Sequence, residues 1–134
     1  MSSSSNILLL AGRVLASVLF IMAGYGKLMG MAGTIGYFGK IGVPVPEIAY
    51  YVAVAAELGG GLLLLVGFQT RIVALLLAVF CVVTALLAHT NFAEMAQQIN
   101  FMKNLGLAGG FLAFAAAGAG AYSLDGRSTR VLTP

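Results

Sequence analysis

The sequence has few residues of the kinds that form disulfides, bind metals or carry charge. Its 134 residues include one cysteine, Cys81, and one histidine, His89. A single cysteine excludes a disulfide framework and a CxxC pair within the chain, and with them thiol relay chemistry. Because the histidine has no cysteine or second histidine near it, we predict that no metal is bound.

Charge is also scarce, at 8% of the residues. Seven Lys and Arg residues and four Asp and Glu residues give a formal net charge of +3, and the basic residues are scattered along the chain. Scattered basic residues do not form the patch that a nucleic-acid surface requires, so we predict no nucleic-acid partner. They are better explained as the flanking charges of membrane spans.

Apolar residues make up 60% of the chain, and the mean hydropathy is +1.02. A soluble domain of this length could not bury so much apolar surface. Four apolar windows, each close to the length of a membrane-spanning helix, run from about Ile7 to Leu28, Ile48 to Gly67, Ile72 to Ala88 and Leu105 to Tyr122. The sequence therefore predicts an all-α integral membrane protein built as a four-helix bundle.

The connections suggest how the chain is divided. The stretch "MGMAGTIGYFGKIGVPVPE" is long, Gly-rich and apolar, which predicts an interfacial or re-entrant segment between helices 1 and 2. "GFQTR" at 67–71 predicts a tight turn, and residues 89–103 predict a short surface helix. We expect a short polar N-terminal tail at 1–6, a four-transmembrane-helix domain at 7–122 and a C-terminal tail at 123–134.

The basic residues give the orientation. Four spans place both termini and the 67–71 turn on one side, together with Arg71, Arg127 and Arg130, while Arg13 lies just inside the membrane. The positive-inside rule then predicts a multi-pass membrane protein with cytoplasmic N- and C-termini.

Glu57 is the most unusual residue, because it lies in the apolar run "AAELGGGLLLLVG" near the expected bilayer midplane. A carboxylate at this depth has to be protonated, face the bundle interior or meet a cation. Helix 1 offers a polar stripe at spacings of three and four residues, and Arg13 on it lies within about 5 Å of the depth of Glu57. We therefore predict an Arg13–Glu57 ion pair. The stripe consists of Arg13, Ser17, Phe20, Gly24 and Lys27.

A second polar group is expected in the outer half of the bundle. Lys27 lies at the end of helix 1, His89 at the end of helix 3, and Lys103 with Asn104 at the start of helix 4. Two lysines brought together repel unless an anion or an acceptor-rich group lies between them. The alternative is that the lysines extend separately to the lipid headgroups. The candidate ligand-binding residues are Lys27, Glu57, His89, Lys103, Asn104 and Tyr25.

Four stretches together are similar to the DoxX family of small bacterial membrane proteins. They are "RVLASVLFIMAGYGKLMG", "IGVPVPEIAYYVAVAAELGGGLLLLVGFQTR", "FMKNLGLAGGFL" and "AYSLDG", and the similarity runs from about Ala11 to Gly126. The resemblance implies a four-helix inner-membrane protein. It also implies that the family's polar motif falls on Arg13, Lys27, Glu57, Lys103 and Asn104.

The resemblance also implies a redox connection. Some DoxX relatives are linked to quinone-coupled oxidation, including thiosulfate:quinone oxidoreductase subunits, and more distant ones carry cysteine pairs. This chain has neither a cysteine pair nor the paired histidines that hold haem. Electron transfer would therefore require a bound quinone or a redox partner subunit.

Three functions remain open from the sequence. The first is a component of a membrane redox system that binds a quinone-like or other small amphiphilic or anionic ligand in a polar pocket between helices. The second is a small-molecule or proton transporter that uses Glu57. The third is a structural or assembly subunit of a membrane complex. Membrane lipids, a redox partner subunit and a second copy of the chain are the expected partners, and no catalytic residue is assigned.

Overall fold

The computed structural model describes residues 1–131, with side chains as far as residue 128. Arg130 and the end of the expected C-terminal tail thus lie outside the described side chains. All secondary-structure elements of the described residues are helical. The helices are α1 (Ser3–Met29), α2 (Met31–Lys40), α3 (Pro46–Val54), a π-helical turn (Ala55–Gly59), α4 (Gly60–Val66), α5 (Thr70–Ala88), α6 (Met95–Ala117) and α7 (Leu124–Val131).

Four long helical segments form the bundle, and the predicted all-α fold is confirmed. The π turn joins α3 and α4 into one continuous helix over Pro46–Val66. This helix packs against α1, and α5 packs along α6. Apolar side chains from all four segments fill the centre: Phe20, Leu64, Val73, Ala74, Leu77, Ala78, Cys81, Ala108 and Phe111.

Large apolar side chains cover the outside of this bundle, as in Leu15, which is 75% exposed. In the part of the chain that the structure describes, three helices are long and apolar enough to cross a membrane: Ser3–Met29, Pro46–Val66 and Thr70–Ala88. Apolar side chains on the outside of such helices contact lipid. α6 has 23 residues, which is long enough, but its first half carries several amides and a lysine.

The boundaries of α6 differ from the prediction. The helix begins at Met95, about ten residues before the apolar window, and so includes most of the expected surface helix at 89–103. It ends at Ala117, because Gly118 and Gly120 have φ of +83° and +80°, a conformation that favours glycine. Lys103 and Asn104 therefore lie within α6 and do not open it.

The turn predicted at 67–71 is confirmed. Gly67 has φ of +69° and ends α4, and Gln69 has φ of +50° immediately before α5 begins at Thr70. The segment between the first two long helices folds as α2, which packs against α3. Pro46 occupies the first turn of α3. Its lack of an N–H costs no hydrogen bond there, because N–H groups of the first turn have no acceptor within the helix.

Glycine allows α1 to approach the π turn closely. A Cβ added at Gly24 would lie 2.5 Å from Leu58 N and 2.8 Å from Leu58 Cβ, so only glycine fits without a shift. Gly61 has a similar role, because an added Cβ would lie 2.9 Å from Ile21 Cγ1. These contacts fix the height at which the π turn faces α1.

Charged side chains close the helix ends on the side of the N-terminus. Asp125 accepts hydrogen bonds from Gln69 N and Thr70 N at 2.8 and 2.9 Å, and so caps α5. Arg71 donates to the carbonyl oxygens of Ala115 and Ala116 at the last turn of α6. These groups meet backbone donors and acceptors that have no partner within their own helix.

Candidate functional site

Glu57 lies in the π turn and pairs with Lys27. Lys27 Nζ is 2.8 Å from Glu57 Oε2 and donates a hydrogen bond to Oε1 at 3.1 Å. The side chains are 26% and 10% exposed, respectively, so the pair is largely withdrawn from the surroundings. A π turn inserts one extra residue into the helix and is common at functional sites. Here the π turn directs the carboxylate of Glu57 toward Lys27 at the end of α1.

The predicted Arg13–Glu57 ion pair is wrong. Arg13 is fully buried, but its guanidinium donates to three backbone carbonyls: Leu65 O at 2.9 Å, Leu64 O at 3.3 Å and Tyr122 O at 2.5 Å. The first two belong to the last turn of α4, where carbonyls have no intrahelical partner and attract a cation. Arg13 therefore joins α1, α4 and the segment before α7.

The helices are staggered, which gives Glu57 a different cation from the one expected. α1 ends only two residues after Lys27, whereas Glu57 lies eleven residues into the helix that begins at Pro46. The helix containing Glu57 thus starts well beyond the end of α1. The predicted depths were counted from Ile7 and Pro46 on the assumption that these residues lie at opposite edges of one hydrocarbon core, and that assumption fails.

Five of the six candidate ligand-binding residues line one cavity of about 340 Å³, which we name the polar chamber. It lies between α1, the π turn, α5 and α6. Apolar side chains such as Leu19, Phe20 and Leu107 form its other walls. The five residues that the structure brings together are Lys27, Glu57, His89, Lys103 and Asn104. Their use as a ligand site stays a prediction.

Tyr25 does not belong to this group. Its side chain is 58% exposed on the outside of α1, and it is absent from the walls of the polar chamber. It is separated from Lys27 by only two positions, which in a helix places the two side chains on nearly opposite faces. An exposed tyrosine near a helix end is typical of a membrane-interface anchor.

Hydrogen bonds fix two of the polar groups. His89 Nδ1 lies 2.8 Å from Gln97 Oε1 and, because an amide oxygen accepts, donates a hydrogen bond to it. Asn104 Nδ2 donates to Asn100 O at 3.0 Å, one turn earlier in α6. Lys103, in contrast, has no carboxylate partner among the described side chains.

Sequence reasoning missed two polar residues of the chamber, Thr84 and Asn100. Asn100 lies four residues before Asn104, and this spacing puts both on one face of a helix. The signal was present, but the 89–103 segment was assigned to a separate surface helix. Thr84 is a single hydroxyl in an apolar run and carries no comparable signal.

A second cavity, of about 270 Å³, lies beneath α2, and we name it the apolar chamber. Its walls come mainly from α2, α3 and α5, and include Phe38, Ile41 and Val52. Both chambers are lined by Lys27 and Glu57. The ion pair therefore stands at the boundary between a polar and an apolar space.

The charges of the polar chamber do not cancel. Lys27 and Glu57 neutralise each other, and the ammonium of Lys103 remains. Ammonium and amide N–H groups offer donors to an acceptor-rich molecule, and the apolar walls offer contact to a ring or chain. Such a chamber can hold an amphiphile and orient its polar end.

These features define the class: an all-α integral membrane protein with a polar chamber inside its helix bundle. The sequence model of the family described as DoxX matches residues 8–90, which is more than half of the chain. The chain belongs to the DoxX family.

Curated relatives agree with this assignment. The chain is 46% identical to "Inner membrane protein YqjF" of Escherichia coli (strain K12) over 125 residues, covering 93% of this chain and 95% of YqjF. It is 39% identical to "Inner membrane protein YphA" of the same organism over 126 residues, covering 90% of each. The chain is thus an inner-membrane protein of the DoxX family.

A third relative carries a name that refers to chemistry. The chain is 44% identical over 78 residues to the Bacillus subtilis (strain 168) protein named "Putative oxidoreductase CatD", covering 58% of this chain and 57% of CatD. No solved structure matches the chain.

Proposed function

We propose that the protein is the membrane component of a redox system and holds a quinone-like or other small amphiphilic molecule in the polar chamber. The observation that carries the proposal is the meeting of Lys27, Glu57 and Lys103 on the wall of one cavity that also has apolar walls. The Lys27–Glu57 pair is largely withdrawn from the surroundings, and charges within a membrane are costly and are typically kept for function.

The chamber residues fit a quinone headgroup. Such a headgroup has two carbonyl acceptors and an apolar ring, and the chamber supplies ammonium and amide donors at Lys103 and Asn104 beside the apolar wall of Leu19 and Leu107. When bound, a quinone supplies the electron-carrying chemistry that amino-acid side chains lack. The residues of this chain would bind it, orient it and exclude water.

A partner would supply the electrons. The chain has one cysteine, which is buried, and one histidine, so it holds no thiol pair of its own. The name of CatD, a relative over 78 residues, supports a role near redox chemistry. We propose a separate redox subunit as the donor or acceptor of electrons.

Quinone retention tests the proposal. The protein would be purified from membranes in a mild detergent, and ubiquinone and menaquinone would be measured in the extracted lipids by mass spectrometry. We expect the parent protein to retain quinone and Lys103→Ala to lose most of it. Lys40→Ala is the matched control, because Lys40 is exposed on α2 and lines neither chamber. Equal quinone content in all three proteins would contradict the proposal.

One observation favours a second candidate, a transport or proton pathway through Glu57. The Lys27–Glu57 pair borders both chambers, which is where a gate between two spaces would lie. pH-dependent flux in proteoliposomes that is lost in Glu57→Gln would favour this function. Quinone retention without flux would favour the first.

A further inference from the structure

We propose that the polar chamber takes a singly anionic amphiphile with one apolar chain, which reaches it from the bilayer through a side opening between α1 and α6. The inference rests on the proposed function, since it names the class of small amphiphilic molecule, other than a quinone, and its access route to the same chamber. Three observations carry it: the exposure of two wall residues, the spacing of the two helices and the charge left on Lys103.

The side opening follows from residues that face both inward and outward. Leu19 of α1 lines the polar chamber, yet it is 52% exposed. Lys103 of α6 also lines the chamber and is exposed on the surface of the bundle. We interpret such side chains as lying at the rim of an opening. The rim therefore includes one residue on each of the two helices.

The spacing of α1 and α6 is consistent with this opening. Their backbones make few close approaches, and large aromatic side chains bridge the distance between them. Phe20 meets Phe111 with ring centroids 5.2 Å apart, and Phe114 packs on Gly12 nearer the N-terminus. Lys103 lies two turns before Phe111 in α6. The aromatic contacts thus close the gap on one side of the chamber and leave it open at the lysine.

The charge of the chamber selects the head group. Lys27 already has Glu57 at 2.8 Å, whereas Lys103 has no carboxylate partner among the described side chains. A ligand with one negative charge would neutralise the ammonium of Lys103. The amides of Asn100 and Asn104 lie beside this ammonium on the same face of α6. A dianion would leave an excess negative charge in a medium of low dielectric constant, and a cation would be repelled.

The size and walls of the chamber select the rest of the ligand. A volume of about 340 Å³ is at the small end of ligand pockets, which run from about 300 to 1,000 Å³. It has room for a head group and the first part of one chain. Leu19, Ala23 and Leu107 give that chain an apolar path to the rim. A carboxylate on a single alkyl chain matches these requirements.

Because the sequence has no tryptophan, a single introduced tryptophan reports fluorescence from one known position. Leu19→Trp places the only indole of the protein at the rim. Leu76→Trp is the matched control, because Leu76 is 63% exposed on α5 and lines neither chamber. Both variants would be reconstituted in nanodiscs and titrated with a bromine-labelled fatty acid and with the corresponding bromine-labelled alcohol, because bromine quenches indole fluorescence on contact.

We expect the acid to quench the Leu19→Trp protein at a concentration at least about tenfold lower than the alcohol does. This preference should disappear when Lys103→Ala is added, and it should be absent from the Leu76→Trp protein. Equal quenching by acid and alcohol, or a preference that survives Lys103→Ala, would overturn the inference.

A second measurement covers the case in which Leu19→Trp does not fold. Decanoate labelled with ¹³C at its carboxyl carbon would be added to the parent protein, Lys103→Ala and Lys40→Ala in nanodiscs. We expect a bound carboxyl resonance in the parent and Lys40→Ala, and none in Lys103→Ala; the same spectrum for all three would overturn the inference. If the parent retains quinone but shows no bound decanoate, only this inference fails. If it retains neither, the proposed function fails as well.

Discussion

Lys27 and Glu57, thirty positions apart in the chain, form an ion pair with Nζ and Oε2 2.8 Å apart in a bundle whose outer surface is apolar. Each charge is tolerated because the other is present. Taking one away leaves its partner partly buried without compensation, which costs more than the pair contributes when it is intact.

The first prediction is a coupling between these two residues. Glu57→Gln and Lys27→Met should each lower the free energy of unfolding by about 2 kcal/mol, and the double variant should lose about 1–2 kcal/mol less than the sum. Unfolding can be followed in detergent with a thiol-reactive dye, because the only cysteine, Cys81, is buried in the core. If the losses in unfolding free energy of the two single variants simply add in the double variant, the contact between Lys27 and Glu57 does not stabilise the protein.

Arg13 and Glu57 should behave differently, because Arg13 bonds to carbonyl oxygens and not to the carboxylate. The losses caused by Arg13→Gln and Glu57→Gln should add to within about 0.5 kcal/mol. Arg13→Lys should still destabilise the protein by about 2 kcal/mol, since a single ammonium cannot reach both α4 and Tyr122. The same dye assay measures both effects. A coupling free energy above about 1 kcal/mol between Arg13 and Glu57 would show that the two side chains interact directly after all.

Gly24→Ala should destabilise the bundle by about 2 kcal/mol or more, because the new Cβ would lie 2.5 Å from Leu58 N and force α1 away from the π turn. Gly26→Ala is the control on the same helix. An added Cβ there would meet no described atom within 4 Å, so this change should be neutral or stabilise by about 0.5–1 kcal/mol. Similar effects of the two changes would show that the close contact is not a constraint.

Asp125→Ala should cost about 1–2 kcal/mol, because it removes the acceptor for Gln69 N and Thr70 N at the start of α5. Asp125→Asn keeps one acceptor oxygen and should lose less. Hydrogen exchange at the two amides provides a local measurement. Unchanged exchange at both amides in Asp125→Ala would mean that the cap does not protect them.

Membrane orientation can be tested with the loop at 89–94, which is shorter than the sequence indicated. We predict that Thr90→Cys is labelled from the periplasm by an impermeant maleimide, and that a reporter fused after Pro134, beyond the described residues, reads as cytoplasmic. The native Cys81 is buried and should give little background. Labelling only from the cytoplasm would reverse the orientation and place the polar chamber near the cytoplasmic face.

Hydropathy and turn chemistry were enough to predict the first three long helices and the turn at Gly67, because both depend on local sequence. The polar stripe of α1 was also correct: Arg13, Ser17, Phe20 and Gly24 are its buried residues. The partner of Arg13 could not be found in this way, because its partners are backbone carbonyls. Every residue has a carbonyl, so a sequence gives no sign of which ones are unpaired.

Most residues that line the polar chamber were predicted to lie together, but their geometry was not. Lys27, His89, Lys103 and Asn104 do line one chamber with Glu57. The π turn changes the direction of Glu57 by one inserted residue, and no residue pattern marks that insertion. The start of α6 was missed because amides and a lysine, including the chamber residues Asn100, Lys103 and Asn104, replace the apolar residues by which a membrane helix is recognised.

The capping contacts on the N-terminal side also set an order for biogenesis. The end of α4 is bonded by Arg13, which also holds Tyr122 O, and the start of α5 is bonded by Asp125. Arg13 is made before α4, so the end of α4 finds its partner at once, whereas the start of α5 receives its partner from a residue made more than fifty positions later. Until Asp125 leaves the ribosome, Gln69 N and Thr70 N lack this acceptor. The turn between α4 and α5 is therefore completed only after α6 has been synthesised.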